Sequence, residues 1–439
     1  MSEPVEKAAR MSSRWRWLMR LLFRRIWFRA ALFSLSSVML ALLAAFIAPF
    51  IPYEISTKIG SDAVDNILGI LASSMLAVTT FSLTAMVSAF SAASGTITPR
   101  ATQLLVEDPT AQNALSTFIG AFLFSIVGIC ALSTGIYGTS GRVILFAGTI
   151  LVIAIIVITL LRWIGHLSSF GRVGDTIDRL EKVTQAAIDR SGYMVTVLPA
   201  AGPNTRGRCS VHSDKIGYIT HIDLKALDEI AEQLGCAIDL TVTPGAFVTP
   251  EREIAWLDRG DDKSASAIRD AFTFDHHRQF DHDPRLGLIV LSEIASRALS
   301  PAVNDPGTGT GIAVLGAGVR VMAALLIEDR DGGVGSAHVT LPAIRIEDLL
   351  DDLFRPIARD GAGVVEVAIK LQRSLAEIAA IAPAAHGLLA VRAADALARS
   401  QTAMTSAADL ECVRGVYRSY WTGRSPDTGA TRSPLKDDE

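Results

Sequence analysis

Cysteine is scarce in this chain of 439 residues: Cys130, Cys209, Cys236 and Cys412 stand far apart, with no CxxC pair. That spacing builds neither a zinc site nor a disulfide framework, and it suits a reducing compartment. Net charge is nearly absent as well, at −4 for the whole chain. No lysine completes a glycine-rich phosphate loop, so nucleotide hydrolysis is not supported. No Ser/His/Asp elbow and no paired carboxylates stand at catalytic spacing. Glu293 and Arg297, four residues apart, read as an ion pair on one helix. The chain is therefore not read as an enzyme, and no cofactor is expected.

What is present in quantity is apolar surface. Half of the residues are hydrophobic and the mean hydropathy is +0.35, yet 20% are charged. Those figures coexist only when apolar and charged residues are segregated along the chain. Disorder is excluded, and a wholly embedded transporter does not fit the charge. The expected fold is a multi-pass α-helical membrane domain of four helices, followed by a mixed α/β cytosolic domain that is mostly helical at its C-terminal end.

The first 29 residues carry Lys7, Arg10, Arg14, Arg16, Arg20, Arg24, Arg25 and Arg29 against only Glu3 and Glu6. Basic residues interleaved with Trp15, Trp17 and Trp27 could suggest nucleic acid. Beside the apolar run from Ile26 they mark the cytoplasmic end of a membrane helix instead. Spans are expected at Ile26–Phe50, Ala63–Ala93, Asn113–Leu132 and Val143–Leu161. The first is too long for the apolar core of a signal peptide, and the fourth carries no charge at all. Positive-inside bias places both termini in the cytoplasm.

The expected organisation is a basic cytosolic arm over residues 1–25, the four-helix membrane domain over 26–162 and an amphipathic connector helix over 163–191. A small β-rich module then covers 192–262, a mainly helical region 263–421 and a disordered polar tail 422–439. Within the module, short strands fall at Tyr193–Leu198, Ile216–Thr220, Ala237–Val242 and Ile254–Leu257 around a helix at Leu224–Leu234. Later helices are expected at Arg285–Leu299, Gly307–Glu328, Ile346–Ala358, Val364–Ile381, Ala385–Arg399 and Ala407–Trp421.

The second span carries the sharpest pattern. At 100° per residue one stripe reads Asn66, Gly69, Ser73, Ala77, Thr80, Thr84, Ser88, Ser91, ending at Gly95, every member small or polar. The opposite face carries Leu68, Leu71, Met75, Val78 and Met86, with Thr79 and Ser82 as exceptions. Such a stripe serves either close packing between membrane helices or the wall of a hydrated pathway. With no ionisable side chain in it, a proton relay is disfavoured. A pathway requires several copies of the chain, because four helices leave little room for a lumen.

Two cytosolic stretches carry candidate chemistry. Asp275, His276, His277, Asp281, His282 and Asp283 crowd into nine residues, and imidazole with carboxylate can ligate a divalent metal. Adjacent histidines point different ways on a helix or a strand, so His276, His277 and His282 compete with a plain solvated loop and no metal is assigned. In Ser300-Pro301-Ala302-Val303-Asn304-Asp305-Pro306, Asp305 is a capping carboxylate before a proline at the first helical position. Ser300, Asn304, Asp305 and Thr308 form either that structural start or a loop that holds a small anion at the helix N-terminus.

Together with Asp283-Pro284-Arg285-Leu286-Gly287, Gly217-Tyr218-Ile219, Ile222-Asp223, Pro244-Gly245-Ala246-Phe247-Val248, Phe81-Ser82-Leu83-Thr84 and Thr98-Pro99-Arg100, that motif resembles a bacterial family of predicted membrane proteins, domain of unknown function 2254. The resemblance spans most of the chain. It implies membrane architecture and a bacterial inner membrane, and it carries over no catalytic residue. The expected partners are the lipid bilayer, other copies of the chain and a small solute or ion, not nucleic acid. The leading expectation is a homo-oligomer with a pathway along the second span. The alternative is a membrane-anchored sensor or scaffold with its ligand at the Ser300–Thr308 loop.

Overall fold

A computed structural model describes residues 61–106, 108–134, 139–167, 171–191, 195–197, 207–301, 307–327 and 338–422, with isolated helical positions between Phe28 and Met39. Apart from those positions, the expected first span, the basic arm and the tail beyond Thr422 lie outside the described residues, as do Asn304 and Asp305. The chain divides into two compact units, Met1–Thr176 and Ile177–Glu439.

In the first unit, helix α1 (Ser61–Thr96) is followed by the short α2 (Pro99–Val106), then α3 (Pro109–Ser133) and α4 (Thr139–Leu167). The 36 residues of α1 extend about 54 Å at 1.5 Å per residue, beyond a hydrocarbon core of about 30 Å. Its buried residues Val64, Leu68, Leu71 and Met75 recur at three- and four-residue spacing, so they form one stripe. That stripe packs on Ala111, Ala114, Phe118, Ala121 and Phe124 of α3 and on Leu145, Val152, Ile156 and Trp163 of α4. At Gly128 of α3 a Cβ would stand 3.1 Å from Leu68 Cδ1 and 3.6 Å from Leu145 Cδ1. The absence of a side chain there lets three helices meet.

Helix α3 starts a turn earlier than its apolar run indicates. Asp108 Oδ1 accepts the Ala111 N–H at 2.8 Å, and Pro109 takes the first helical position. The connector also differs in detail from expectation. It is a separate helix, α5 (Val173–Ser191), preceded by Gly171 in the left-handed region at φ 85°.

In the second unit α5 is followed by β1 (Val195–Thr196), β2 (Cys209–His212), β3 (Gly217–Ile222), α6 (Leu224–Leu234), β4 (Ile238–Leu240), β5 (Phe247–Val248), β6 (Glu253–Leu257), α7 (Asp262–Asp270) and β7 (Phe272–Asp275). Helices α8 (Pro284–Ala298) and α9 (Thr308–Ile327) come next. After them lie β8 (Val339–Thr340), β9 (Ile344–Arg345), α10 (Ile346–Asp360), α11 (Val365–Ile381), α12 (His386–Ala403) and α13 (Ala407–Trp421). The sheets run β2-β6-β4-β8, β5-β3-β7 and β1-β9. Strand β3 lies antiparallel to β5, with Gly217 opposite Val248, and to β7, with Tyr218 opposite Asp275. Strands β7, β8 and β9 come from the stretch read from sequence as mainly helical. Two-residue strands such as β8 and β9 leave no alternation to read.

Ile219, Leu227, Ile238, Leu240, Val248, Ile254 and Ile268 form the core of the sheet module. Full burial of each such side chain is worth about 1.5–3 kcal/mol. The helical part packs α8 on α9 and α10, and α11 on α9, α12 and α13.

Among the described residues four helices are long and apolar enough to cross a membrane: Val64–Gly95, Pro109–Ser133, Ile144–Leu167 and Thr308–Leu326. The first three are the expected second, third and fourth spans. The last corresponds to the helix expected at Gly307–Glu328 in the cytosolic region. It buries Val314, Leu315, Val321 and Met322 inside the second unit, and its Arg320 pairs with Glu181 at 2.6 Å.

Candidate functional site

The stripe on α1 is the first feature to locate. Asn66, Gly69, Ser73, Ala77, Thr80, Thr84, Ser88 and Ser91 are all exposed, because Leu68, Leu71 and Met75 on the other side of the helix take the contacts with α3 and α4. A Cβ at Gly69 or Gly95 would meet nothing within 4 Å. The described helices leave this face uncovered. Three of its hydroxyls are turned to their own backbone: Ser73 Oγ donates to the Gly69 carbonyl at 3.1 Å, Thr80 Oγ1 to Leu76 at 2.9 Å and Thr84 Oγ1 to Thr80 at 2.9 Å. With the proton so engaged, each oxygen presents its lone pairs outward as an acceptor. Exposed Ile70, Leu76, Phe81 and Leu83 flank the stripe, giving a polar strip between apolar borders.

The His/Asp stretch is resolved into separate contacts. Asp283 is buried and caps α8 through the Leu286 N–H at 3.1 Å. It also receives both arms of Arg278, at 2.7 and 3.0 Å. Burial pushes the Asp283 carboxyl above its ordinary value, while Arg278 and the α8 amide pull it back down. Asp281 faces Arg190 at 3.3 Å, and Gln279 donates to Asp275 at 2.8 Å. His282 packs on His221 with ring centroids 4.8 Å apart, whereas His276 and His277 are exposed. Among the described residues no three His, Cys, Asp or Glu side chains are grouped so as to hold a metal.

The pairing of partly exposed Arg278 with buried Asp283 is what sequence reasoning missed. Its signal was the capping pattern Asp283-Pro284, overlooked beside the histidines. Gly245, at φ 88°, lies directly over the pair, and a Cβ there would overlap the Asp283 carboxylate. The left-handed turn Pro244-Gly245 is thus required by what lies beneath it.

Of the second stretch, Ser300 and Thr308 are described and both are partly exposed. The Ser300 N–H donates to the Arg297 carbonyl at 3.2 Å, closing α8. Helix α9 begins at Thr308, two residues after Pro306, and the Gly307 carbonyl accepts from Gly311 N–H at 2.8 Å. Asn304 and Asp305 lie outside the described residues, so their part in that start is not seen.

A family model described as predicted membrane protein (DUF2254) matches residues 24–377. The chain belongs to that family. Neither a curated protein nor a solved structure matches it. The match begins before the expected first span and ends within α11.

Proposed function

We propose that this member of the family is a homo-oligomeric integral protein of the bacterial inner membrane. Its α1 stripe lines a channel- or transport-like pathway for a small solute or ion. The unit Ile177–Glu439 acts on the cytoplasmic side as a gate or assembly platform, and both termini are cytoplasmic. One observation carries this reading. A helix with a continuous polar and small-residue face directs that face away from the helices it packs on. Small residues permit close approach of a second copy, and outward-facing oxygen acceptors can replace part of a solute's hydration shell.

The test is the oligomeric state of the purified protein in detergent, together with ion flux in proteoliposomes. The parent is expected to be an oligomer that conducts, and replacing Thr80 and Thr84 with Leu to reduce flux. A monomer, or flux indifferent to both substitutions, overturns the proposal. The sensor alternative rests on the loop ending at Thr308, and nothing at its described residues favours it.

A further inference from the structure

The membrane unit is polar on part of its inside as well as on its outer stripe. Several hydroxyls in its helices donate to a carbonyl four residues back, as Ser73, Thr80, Thr84, Thr117, Ser125 and Thr149 do. Ser82 on α1 and Ser116 on α3 depart from that pattern. They are 1% and 0% exposed, and neither Oγ has a hydrogen-bond partner among the described residues. On α4 the indole Nε1 of Trp163, a residue 2% exposed, has none either.

These groups fall in one part of the bundle. Leu68, Gly128 and Leu145 mark a common level on the three helices. Counting 1.5 Å per residue from it, Ser116 lies about 18 Å along, Ser82 about 21 Å and Trp163 about 27 Å. Asp108 and His166 follow at about 30 Å on the same count. There His166 Nε2 stands 3.0 Å from Asp108 Oδ1, which verifies the register. Asp108, Gln112 and Ser116 recur every four residues on α3 and all are buried. Between the reference level and this region lie Phe124 and Phe118, both almost wholly buried. Buried Ser125 and Thr149 near the reference level are bonded to their own helices, so the unpartnered polar groups are confined to the other half of the interior.

Buried polar atoms without partners are strongly unfavourable in a low-dielectric interior, and internal water is the usual remedy. Two hydroxyls and an indole N–H suit a neutral ligand that both donates and accepts. We propose that this half of the unit is a hydrated pocket that takes water, entered from the Asp108–His166 end and closed at Phe118. It lies on the opposite side of α1 from the exposed stripe and stands whether or not that stripe self-associates.

The test uses full-length protein in lipid nanodiscs and a radiolytic pulse that generates hydroxyl radicals from water at the site. Oxidation is mapped by peptide mass spectrometry and normalised to each side chain's intrinsic reactivity. Trp163 is expected to be labelled severalfold more than Phe118 and Phe124, which are equally buried. Labelling of Trp163 at the level of those phenylalanines overturns the proposal. In a Ser82→Ala/Ser116→Ala variant the Trp163 label should fall. An unchanged label there would mean that radicals reach the indole from bulk solvent, and would also overturn it. Should that variant fail to fold, the parent measurement decides alone.

Discussion

Asp283 and Gly245 act through packing around the Arg278 guanidinium. Asp283 is both helix cap and buried ion-pair partner, and Gly245 gives it room. Asp283 is the buried member, so removing Arg278 leaves an uncompensated buried carboxylate, at up to about 3–5 kcal/mol. Arg278→Ala is expected to lower the thermal midpoint of the purified protein by that order of destabilisation, and a midpoint equal to the parent's would refute the structural role. Asp239 makes a prediction about pH. Burial works to raise its carboxyl, but hydrogen bonds from Arg208 and Thr340 outweigh burial and hold it below the usual 3.8. A folded-state value below the unfolded one means the stabilisation is complete above about 3.8 and is lost as pH falls through the lower, folded value. Asp239→Asn should therefore be less stable than the parent at neutral pH, and the gap should close in acid. A gap independent of pH would show that the carboxylate charge is not what stabilises.

At the scale of elements, α1 is the informative one. Its two faces do different work: Leu68, Leu71 and Met75 hold α3 and α4, and Ser73, Ala77 and Thr84 remain exposed. Ala77→Leu or Ser73→Leu enlarges the exposed face without entering the intrachain core. Each is expected to leave the fold intact and to shift the protein toward monomer, read by light scattering in detergent. Retention of the parent's oligomeric state with both substitutions would remove α1 from the interface. The same helix shows why apolar runs alone misplace helix ends. The start of α3 is set by the Asp108 carboxylate and Pro109, four residues before the run becomes apolar.

For the whole molecule, the family match and four sufficiently apolar helices describe a membrane protein, and the proposed orientation can be read from native thiols. Cys209 and Cys412 are both exposed in the unit Ile177–Glu439. A membrane-impermeant maleimide should label them in inside-out vesicles and spare them in intact spheroplasts. Labelling from the outside would reverse the topology. The helix Thr308–Leu326 belongs to the same question, since it is apolar enough to span yet shares a core with α8 and α11.

Periodicity and caps made much of this chain legible in advance. The second, third and fourth spans, the helix at Leu224–Leu234 and the last helix at Ala407–Trp421 follow from apolar spacing, which is a local property. The polar stripe of α1 was equally plain, because it depends only on helical geometry. Tertiary structure alone decided which face of α1 is buried, since a stripe of small residues is compatible with packing or exposure. It also decided that the carboxylates near His276 and His277 are taken by Arg278, Arg190 and Gln279 instead of gathering at one centre. The meeting of Ser82 with Ser116 and Trp163 in one interior was likewise beyond sequence. Those residues are far apart along the chain, and only the packing of three helices brings them into one interior.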